Sequence, residues 1–175
     1  MFKRNLLAVL VATVAVGFAL NVNAATPTPA ATANAEILTP LSIVEDTQMD
    51  FGTIAPDAGG GNVTLTVGGT IPAPPANFVL SGVPAAGAFT VTGETGLSYA
   101  ISFPGAPFTL NQTVPAGADT MSLGSFTTSI VATPGSPRVL PGATDSFTVG
   151  ATLTVDPSQT AAVYQGSYVI QVDYQ

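Results

Sequence analysis

Short runs in which every second residue is apolar recur along this chain of 175 residues, and clusters of glycine, proline and asparagine separate them. Alternation with a period of two places the apolar side chains on one face of a β-strand. No segment after residue 24 repeats its apolar residues with the period of an α-helix. The pattern therefore predicts an all-β fold, with runs at residues 62–67, 89–93, 97–103, 124–133, 146–155 and 168–174.

The longest run, at residues 146–155, places five apolar side chains on one face: Phe147, Val149, Ala151, Leu153 and Val155. The three residues at 94–96, between the runs at 89–93 and 97–103, predict a β-hairpin. Runs rich in threonine and valine at this spacing are typical of antiparallel sandwiches. We predict one immunoglobulin-like β-sandwich over residues 37–175, and a jelly roll or a barrel is the main alternative.

The first 24 residues have the pattern of a secretory signal peptide, with cleavage after Ala24. Two basic residues come first, followed by an apolar run from Leu6 to Leu20 and then by small residues. A retained membrane anchor is the competing interpretation. The run is shorter than the roughly 20 residues that a span needs, and no basic cluster follows it. We therefore predict an exported protein with no membrane insertion after cleavage.

The charge after residue 24 is strongly acidic, because Arg138 is then the one basic residue and all ten acidic residues remain. DNA, RNA and anionic membranes are bound through lysine and arginine, so this balance disfavours all three as partners. The chain also has no cysteine, so its stability has to come from packing and backbone pairing rather than from disulfides.

The residue types that most catalytic sites need are missing after residue 24, since that part of the chain has no histidine, cysteine or lysine. A nucleophile activated by a neighbouring base is therefore excluded. A pair of carboxylates could still hydrolyse a glycosidic bond. However, the three glutamates, Glu36, Glu45 and Glu94, lie in strand or turn contexts without large aromatic neighbours. We predict that the protein is not an enzyme and holds no cofactor.

Three acidic residues, Glu45, Asp46 and Asp50, form the one cluster that could suggest calcium. Their spacing differs from that of a calcium-binding loop, so we interpret them as a solvated turn and predict no metal site. The three glycines at 59–61 lack the lysine and the helix of a phosphate-binding loop. The absence of tryptophan also makes a sugar-binding platform a poor interpretation.

The two ends of the chain after residue 24 carry the most distinctive patterns. Residues 25–36 are rich in alanine, threonine and proline and resemble a mobile arm, yet an alternating series runs through and beyond them: Ala31, Ala33, Ala35, Ile37, Thr39, Leu41 and Ile43. This series predicts a strand that begins in the arm. The last run also alternates, with Tyr168, Ile170, Val172 and Tyr174 on one face.

Three stretches resemble uncharacterised Gram-negative envelope proteins related to spore-coat-protein-U-like proteins and archaic chaperone–usher pilin subunits: AEILTPLSIVEDTQMDFGTIAP (35–56), FTVTGETGLSYAISFPG (89–105) and FTVGATLTVDPSQTAAVYQGSYVIQVDYQ (147–175). The most specific features are DFG at 50–52 and an ending with Gly166, Tyr168, Val172 and Tyr174. The chain departs from many relatives in having Pro40 and no cysteine near the end of the first strand.

The resemblance implies an incomplete sandwich that lacks one strand and is completed by a donor strand. It implies that a periplasmic chaperone first lends that strand and binds the carboxylate of Gln175, that an outer-membrane usher follows, and that the N-terminal arm of another pilin subunit finally replaces the chaperone. The implied donor side chains are Ala31, Ala33, Ala35 and Ile37. The implied groove strand carries Tyr168, Ile170, Val172 and Tyr174.

Two functions follow as hypotheses. The first is a structural subunit of a surface fimbria that assembles by donor-strand exchange and supports cell adhesion, in transit through the periplasm. The second is a self-contained secreted or periplasmic β-sandwich that acts as a binding or coat protein, in which residues 31–43 would be an ordinary first strand. Neighbouring genes for a chaperone and an usher would favour the first.

Overall fold

A computed structural model describes residues 29–175, so the predicted signal peptide lies outside the described residues. Residues 37–175 form one compact unit. In the described part of the chain every regular element is a β-strand: β1 Ser42–Thr47, β2 Thr53–Ala55, β3 Gly61–Leu65, β4 Val79–Ser81, β5 Gly87–Thr92, β6 Ser98–Ser102, β7 Phe108–Val114, β8 Thr120–Thr128, β9 Arg138–Val139, β10 Thr144–Val155, β11 Val163–Gln165 and β12 Gln171–Tyr174. No helix in this part is long and apolar enough to span a membrane.

The largest sheet has seven strands in the order β1-β5-β10-β8-β7-β11, and β3 joins it by pairing with the second half of β10. The order of the second sheet is β12-β6-β9, and β2 pairs with β4. All of these pairs are antiparallel. The prediction of an all-β antiparallel sandwich is confirmed.

Strand β10 organises the fold because its alternating side chains reach both halves of the core. The five apolar residues predicted to share a face, at positions 147, 149, 151, 153 and 155, are each less than 5% exposed. The first half of β10 pairs with β5 and the second half with β3. At the junction, Gly150 leaves no room for a side chain, since a Cβ atom there would lie 2.4 Å from the carbonyl oxygen of Leu65.

The core has two clusters of buried residues. The first, here called the closed cluster, lies where β6 and its neighbours cover β5 and β10: Phe89, Val91, Tyr99, Ile101, Ala132, Leu140, Phe147 and Val149. An ion pair between Arg138 and Asp145 lies beside this cluster. Arg138 Nε donates to Asp145 at 2.5 Å, and the Tyr99 hydroxyl donates to the same carboxylate at 3.0 Å.

The second cluster lies over β3, β8 and the second half of β10: Val63, Phe78, Leu123, Ala151, Leu153 and Val155. Several apolar side chains that pack against it are only half-buried, among them Met49, Phe51, Leu110 and Met121. This part of the core is therefore incompletely covered.

Two local predictions are wrong. The strand predicted from residue 31 begins at Ser42, and residues 29–41 form no regular element. The hairpin predicted around residues 94–96 does not form, because β5 pairs with β1 and β10 whereas β6 pairs with β9 and β12. The loop instead carries the chain from one sheet to the other, which is the step that creates the two layers.

Candidate functional site

An open cleft of about 1200 Å³ lies over the seven-stranded sheet. One wall, here called the N-wall, is drawn from residues 43–54, and the other, the C-wall, is drawn from residues 162–170. The floor between the walls is apolar and is formed by Ala85, Phe89, Leu110, Met121, Leu123 and Leu153. The cleft is thus the region where the second core cluster lacks a cover.

Backbone at both sides of the cleft lacks strand partners. In the sheets of the described residues, β1 pairs with β5 alone and β11 with β7 alone, so both are edge strands. Residues 166–170, between β11 and β12, lie in no strand. Unpaired edge groups bind another strand readily because each N–H and C=O needs a partner.

The N-wall bends at the DFG motif, and each residue of the motif has a structural reason. The Asp50 carboxylate accepts a hydrogen bond of 2.8 Å from the Gly52 N–H, which forms a tight turn. Phe51 packs against the second core cluster. Gly52 has a φ of 71°, and a Cβ atom there would lie 2.7 Å from the carbonyl oxygen of Ser81. The motif therefore joins β1 to β2 without closing the cleft.

The C-wall begins at a close approach that only glycine allows. A Cβ atom at Gly166 would lie 2.5 Å from the carbonyl oxygen of Thr109 in β7. Because Gly166 packs this closely on β7, the chain leaves the seven-stranded sheet there and reaches the other sheet only at Gln171. The intervening residues span the gap between the two sheets without pairing with either.

Tyr168 is the central side chain of the C-wall. Its ring stacks on Phe126 with centroids 5.4 Å apart and meets the edge of Phe89 at 6.2 Å. Its hydroxyl is buried and has no hydrogen-bond partner among the described residues. Burial, with a smaller effect from the Glu45 charge, raises the pKa of Tyr168 to about 12, so the hydroxyl keeps its proton.

The predicted groove residues are divided between two places. Tyr168 and Ile170 line the cleft. Val172 packs against the closed cluster, and the Tyr174 hydroxyl donates to the Thr39 carbonyl oxygen at 2.8 Å. The Gln175 N–H donates to the Ser98 carbonyl oxygen at 3.0 Å and extends the pairing of β12 with β6.

The predicted donor residues lie outside every strand. Ala31, Ala33 and Ala35 are exposed, and Ile37 is 95% exposed.

The acidic residues near the N-wall have ordinary polar partners. The Asp46 carboxylate accepts a hydrogen bond of 2.7 Å from the Thr90 hydroxyl, and Asp50 closes the turn described above. Within residues 29–175, no group of three or more potential ligands could hold a metal ion. Glu45 and Asp50 are the charged residues among those that line the cleft.

Two floor residues, Leu110 and Met121, were not identified from the sequence. Leu110 lies in β7, which no predicted run covers, and Met121 lies in β8 before the predicted run at 124–133. Their half-buried state depends on the absence of a covering strand, which no local pattern records.

Comparison with known proteins identifies one family to which the chain is similar. Residues 41–174 match the family described as a domain of unknown function, DUF4402. Neither the curated proteins nor the solved structures contain a match. The matched segment includes both walls and the floor of the cleft.

Proposed function

The chain belongs to the family described as a domain of unknown function, DUF4402, and from its open cleft we propose that it is an exported structural subunit of a surface fimbria. The cleft receives the N-terminal arm, residues 25–36, of another copy, and each copy donates its own arm to the next. This donor-strand exchange is the assembly that the resemblance to spore-coat-protein-U-like proteins and archaic chaperone–usher pilins implies.

The observation that carries the proposal is the size of the cleft. In a sandwich, a strand occupies roughly 160 Å³ per residue, since strands lie about 4.8 Å apart, sheets about 10 Å apart and residues rise about 3.3 Å. A cleft of about 1200 Å³ is therefore of the order that a strand segment of several residues needs. This size supports strand addition as the function of the cleft.

The arm fits this cleft in length, form and charge. Residues 29–36 are exposed and belong to no strand, so they are free to pair with another chain. Residues 25–35 carry no charged side chain, and Glu36 is the first. An uncharged segment suits a cleft whose charged lining residues, Glu45 and Asp50, are both acidic.

Strand addition explains how small side chains could hold two molecules together. Backbone hydrogen bonds along the two open edges supply affinity, and alternate side chains fix the register. A buried alanine methyl contributes about 0.8 kcal/mol, whereas a fully buried isoleucine contributes about 1.5–3 kcal/mol. Most of the stabilisation would then come from the ladder of backbone bonds and from covering the floor. Separation would be slow because the whole strand has to leave.

The proposal includes two further partners. Until an arm arrives, the apolar floor and the open edges are an aggregation hazard. A periplasmic chaperone that lends a strand removes this hazard, and an outer-membrane usher exchanges that strand for an arm. The protein would thus pass through the periplasm and act at the cell surface, where the fibre supports adhesion.

A disulfide trap tests the proposal directly, because the chain has no cysteine of its own. The variant Ala33→Cys places a thiol in the arm, and Ser167→Cys places one in the C-wall of the cleft. We expect the two variants, expressed together in the periplasm and then oxidised, to form a crosslinked dimer. The matched control Ser122→Cys places an exposed thiol on β8, outside this cleft, and should not crosslink with Ala33→Cys.

A second comparison tests the inward face of the arm. Ala33→Asp would bring a charge onto the apolar floor, whereas Asn34→Asp would place the same charge on the opposite face of the donor strand. We expect the unmodified protein to form multimers that resist SDS, Ala33→Asp to abolish them, and Asn34→Asp to keep most of them. A stable monomer that gives no crosslink would instead favour the self-contained binding or coat protein.

A further inference from the structure

Three residues, Thr39, Glu94 and Tyr174, form a hydrogen-bonded cluster at the base of the arm, here called the clamp. The Thr39 N–H and hydroxyl donate to the Glu94 carboxylate at 3.2 and 2.7 Å. The Tyr174 hydroxyl donates to the Thr39 carbonyl oxygen at 2.8 Å and accepts the Glu94 N–H at 2.6 Å. The clamp thus engages both backbone polar groups of Thr39.

The residues next to the clamp strengthen it. Pro40 follows Thr39, and its ring fixes the backbone φ angle. Leu41 packs against the closed cluster. A Cβ atom at Gly93 would lie 2.5 Å from the Tyr174 hydroxyl oxygen and 2.7 Å from Leu41 Cδ1, so the glycine leaves the space that both side chains use. Residues 39–41 are therefore held on both sides of the proline.

The position of the clamp limits where the arm can go. Strand β1 starts at Ser42 and runs along the N-wall of the cleft. An arm that filled the cleft of its own molecule would have to reverse direction between the arm and β1, at residues 37–41. The two-residue turns that join neighbouring antiparallel strands favour glycine or asparagine, and this segment, ILTPL, has neither. The backbone groups of Thr39 that could close such a turn are already engaged.

We infer that the clamp keeps the arm out of the cleft of its own molecule and so commits the arm to a second copy. Glu94 and Tyr174 are in this sense positioning residues, because they touch the base of the arm and not its partner. The inference rests on the proposed function. It adds a reason why the arm would enter the cleft of another molecule rather than the cleft of its own.

The test compares Glu94→Ala and Tyr174→Phe with the control Asp119→Ala. Asp119 is also an exposed carboxylate that accepts a hydrogen bond from a threonine hydroxyl, that of Thr160, and it does not line the cleft. The ratio of monomer to multimer is measured for the full chain after export. Losing one hydrogen bond is worth about a five- to tenfold change in an equilibrium, and we expect each clamp variant to raise the ratio by that factor. The control should leave it unchanged.

Hydrogen exchange of the monomer fraction supplies a readout that a purely structural role would not change. We expect the amides of residues 29–36 to become protected in monomers of the clamp variants, because the arm then fills its own cleft. Thr39→Val, which removes only the hydroxyl donor, should give a smaller effect in the same direction. An unchanged ratio and unprotected arm amides, with the Ala33–Ser167 crosslink still forming, would overturn this inference alone. Absence of that crosslink would overturn the proposed function, and this inference with it.

Discussion

The closed cluster and the open cleft are built from the same kinds of side chain but differ in how completely those side chains are buried. In the closed cluster Phe147 is 3% exposed, Val149 is fully buried, and the Tyr99 hydroxyl has a partner in Asp145. In the cleft Leu110 and Met121 are half-buried, and the Tyr168 hydroxyl has no partner among the described residues. The two regions differ in what covers them and not in composition. Strand β6 and its neighbours cover the closed cluster, whereas no strand of the described residues lies above the cleft.

The largest effect should come from truncating the closed cluster. Phe147→Ala leaves an enclosed cavity and should lower the free energy of unfolding by about 3–5 kcal/mol. Leu110→Ala removes a half-exposed side chain beside open space and should cost about 1–2 kcal/mol. Urea denaturation of the two variants measures both values. Equal losses would contradict the distinction between the two regions.

The ion pair should rank second. Asp145→Ala leaves the Arg138 guanidinium and the Tyr99 hydroxyl without their acceptor, and we expect a loss of about 2–3 kcal/mol. This lies below the usual 3–5 kcal/mol for a broken buried pair, because the Arg138 side chain is 37% exposed. Asp145→Asn, which keeps the shape of the side chain, should cost less.

The same carboxylate predicts how stability depends on pH. Burial opposes its charge, but hydrogen bonds from Arg138 and Tyr99 outweigh burial, so the pKa of Asp145 lies below its usual value. Its contribution to stability is therefore complete at neutral pH and is lost as the pH falls through the folded-state pKa. Thermal unfolding between pH 7 and about pH 2 should show a shallower acid decline in Asp145→Ala than in the unmodified protein.

The smallest effects should come from the paired tyrosine substitutions. Tyr99→Phe removes a donor from a buried carboxylate and should cost about 1–2 kcal/mol. Tyr168→Phe removes a hydroxyl that has no partner, so it should change stability by less than about 0.5 kcal/mol or increase it slightly. Chemical denaturation at one pH compares them. A larger loss for Tyr168→Phe would mean that this hydroxyl has a partner in solution.

Alternation in the sequence was enough to identify the strands of the core. The face shared by the apolar residues of β10 was correct because that strand is paired on both sides and covered, so burial follows the pleat. The hairpin around residues 94–96 was wrong for a nonlocal reason. Two neighbouring runs can enter different sheets, and the choice depends on packing between layers rather than on the loop.

The two ends of the described chain show where alternation in the sequence does not by itself produce a strand. The alternating series covers residues 31–43 and 168–174, yet regular strands begin only at Ser42 and Gln171. A strand needs a neighbour, and residues 29–41 and 166–170 have none within the part of the chain that the structure describes. If an arm fills the cleft, the C-wall backbone gains that neighbour. The pattern would then describe the assembled state.

The candidate site was only partly visible in the sequence. Tyr168 and Ile170 were identified as groove residues and line the cleft, but parity grouped them with Val172 and Tyr174, which lie elsewhere. Within this run the chain passes from one sheet to the other. Alternation of apolar residues does not reveal that change of sheet. Glu94 gave no signal beyond being one of three glutamates.

Arg138, the one lysine or arginine after residue 24, makes a proteolytic reporter that is built into the fold. Trypsin cleaves after lysine and arginine, so after residue 24 its one target is the bond between Arg138 and Val139, within β9. The Arg138 side chain is held by Asp145, and its backbone pairs with β6, so cleavage requires β9 to detach from that strand. The digestion rate therefore follows the opening of this region, whereas the arm escapes cleavage entirely.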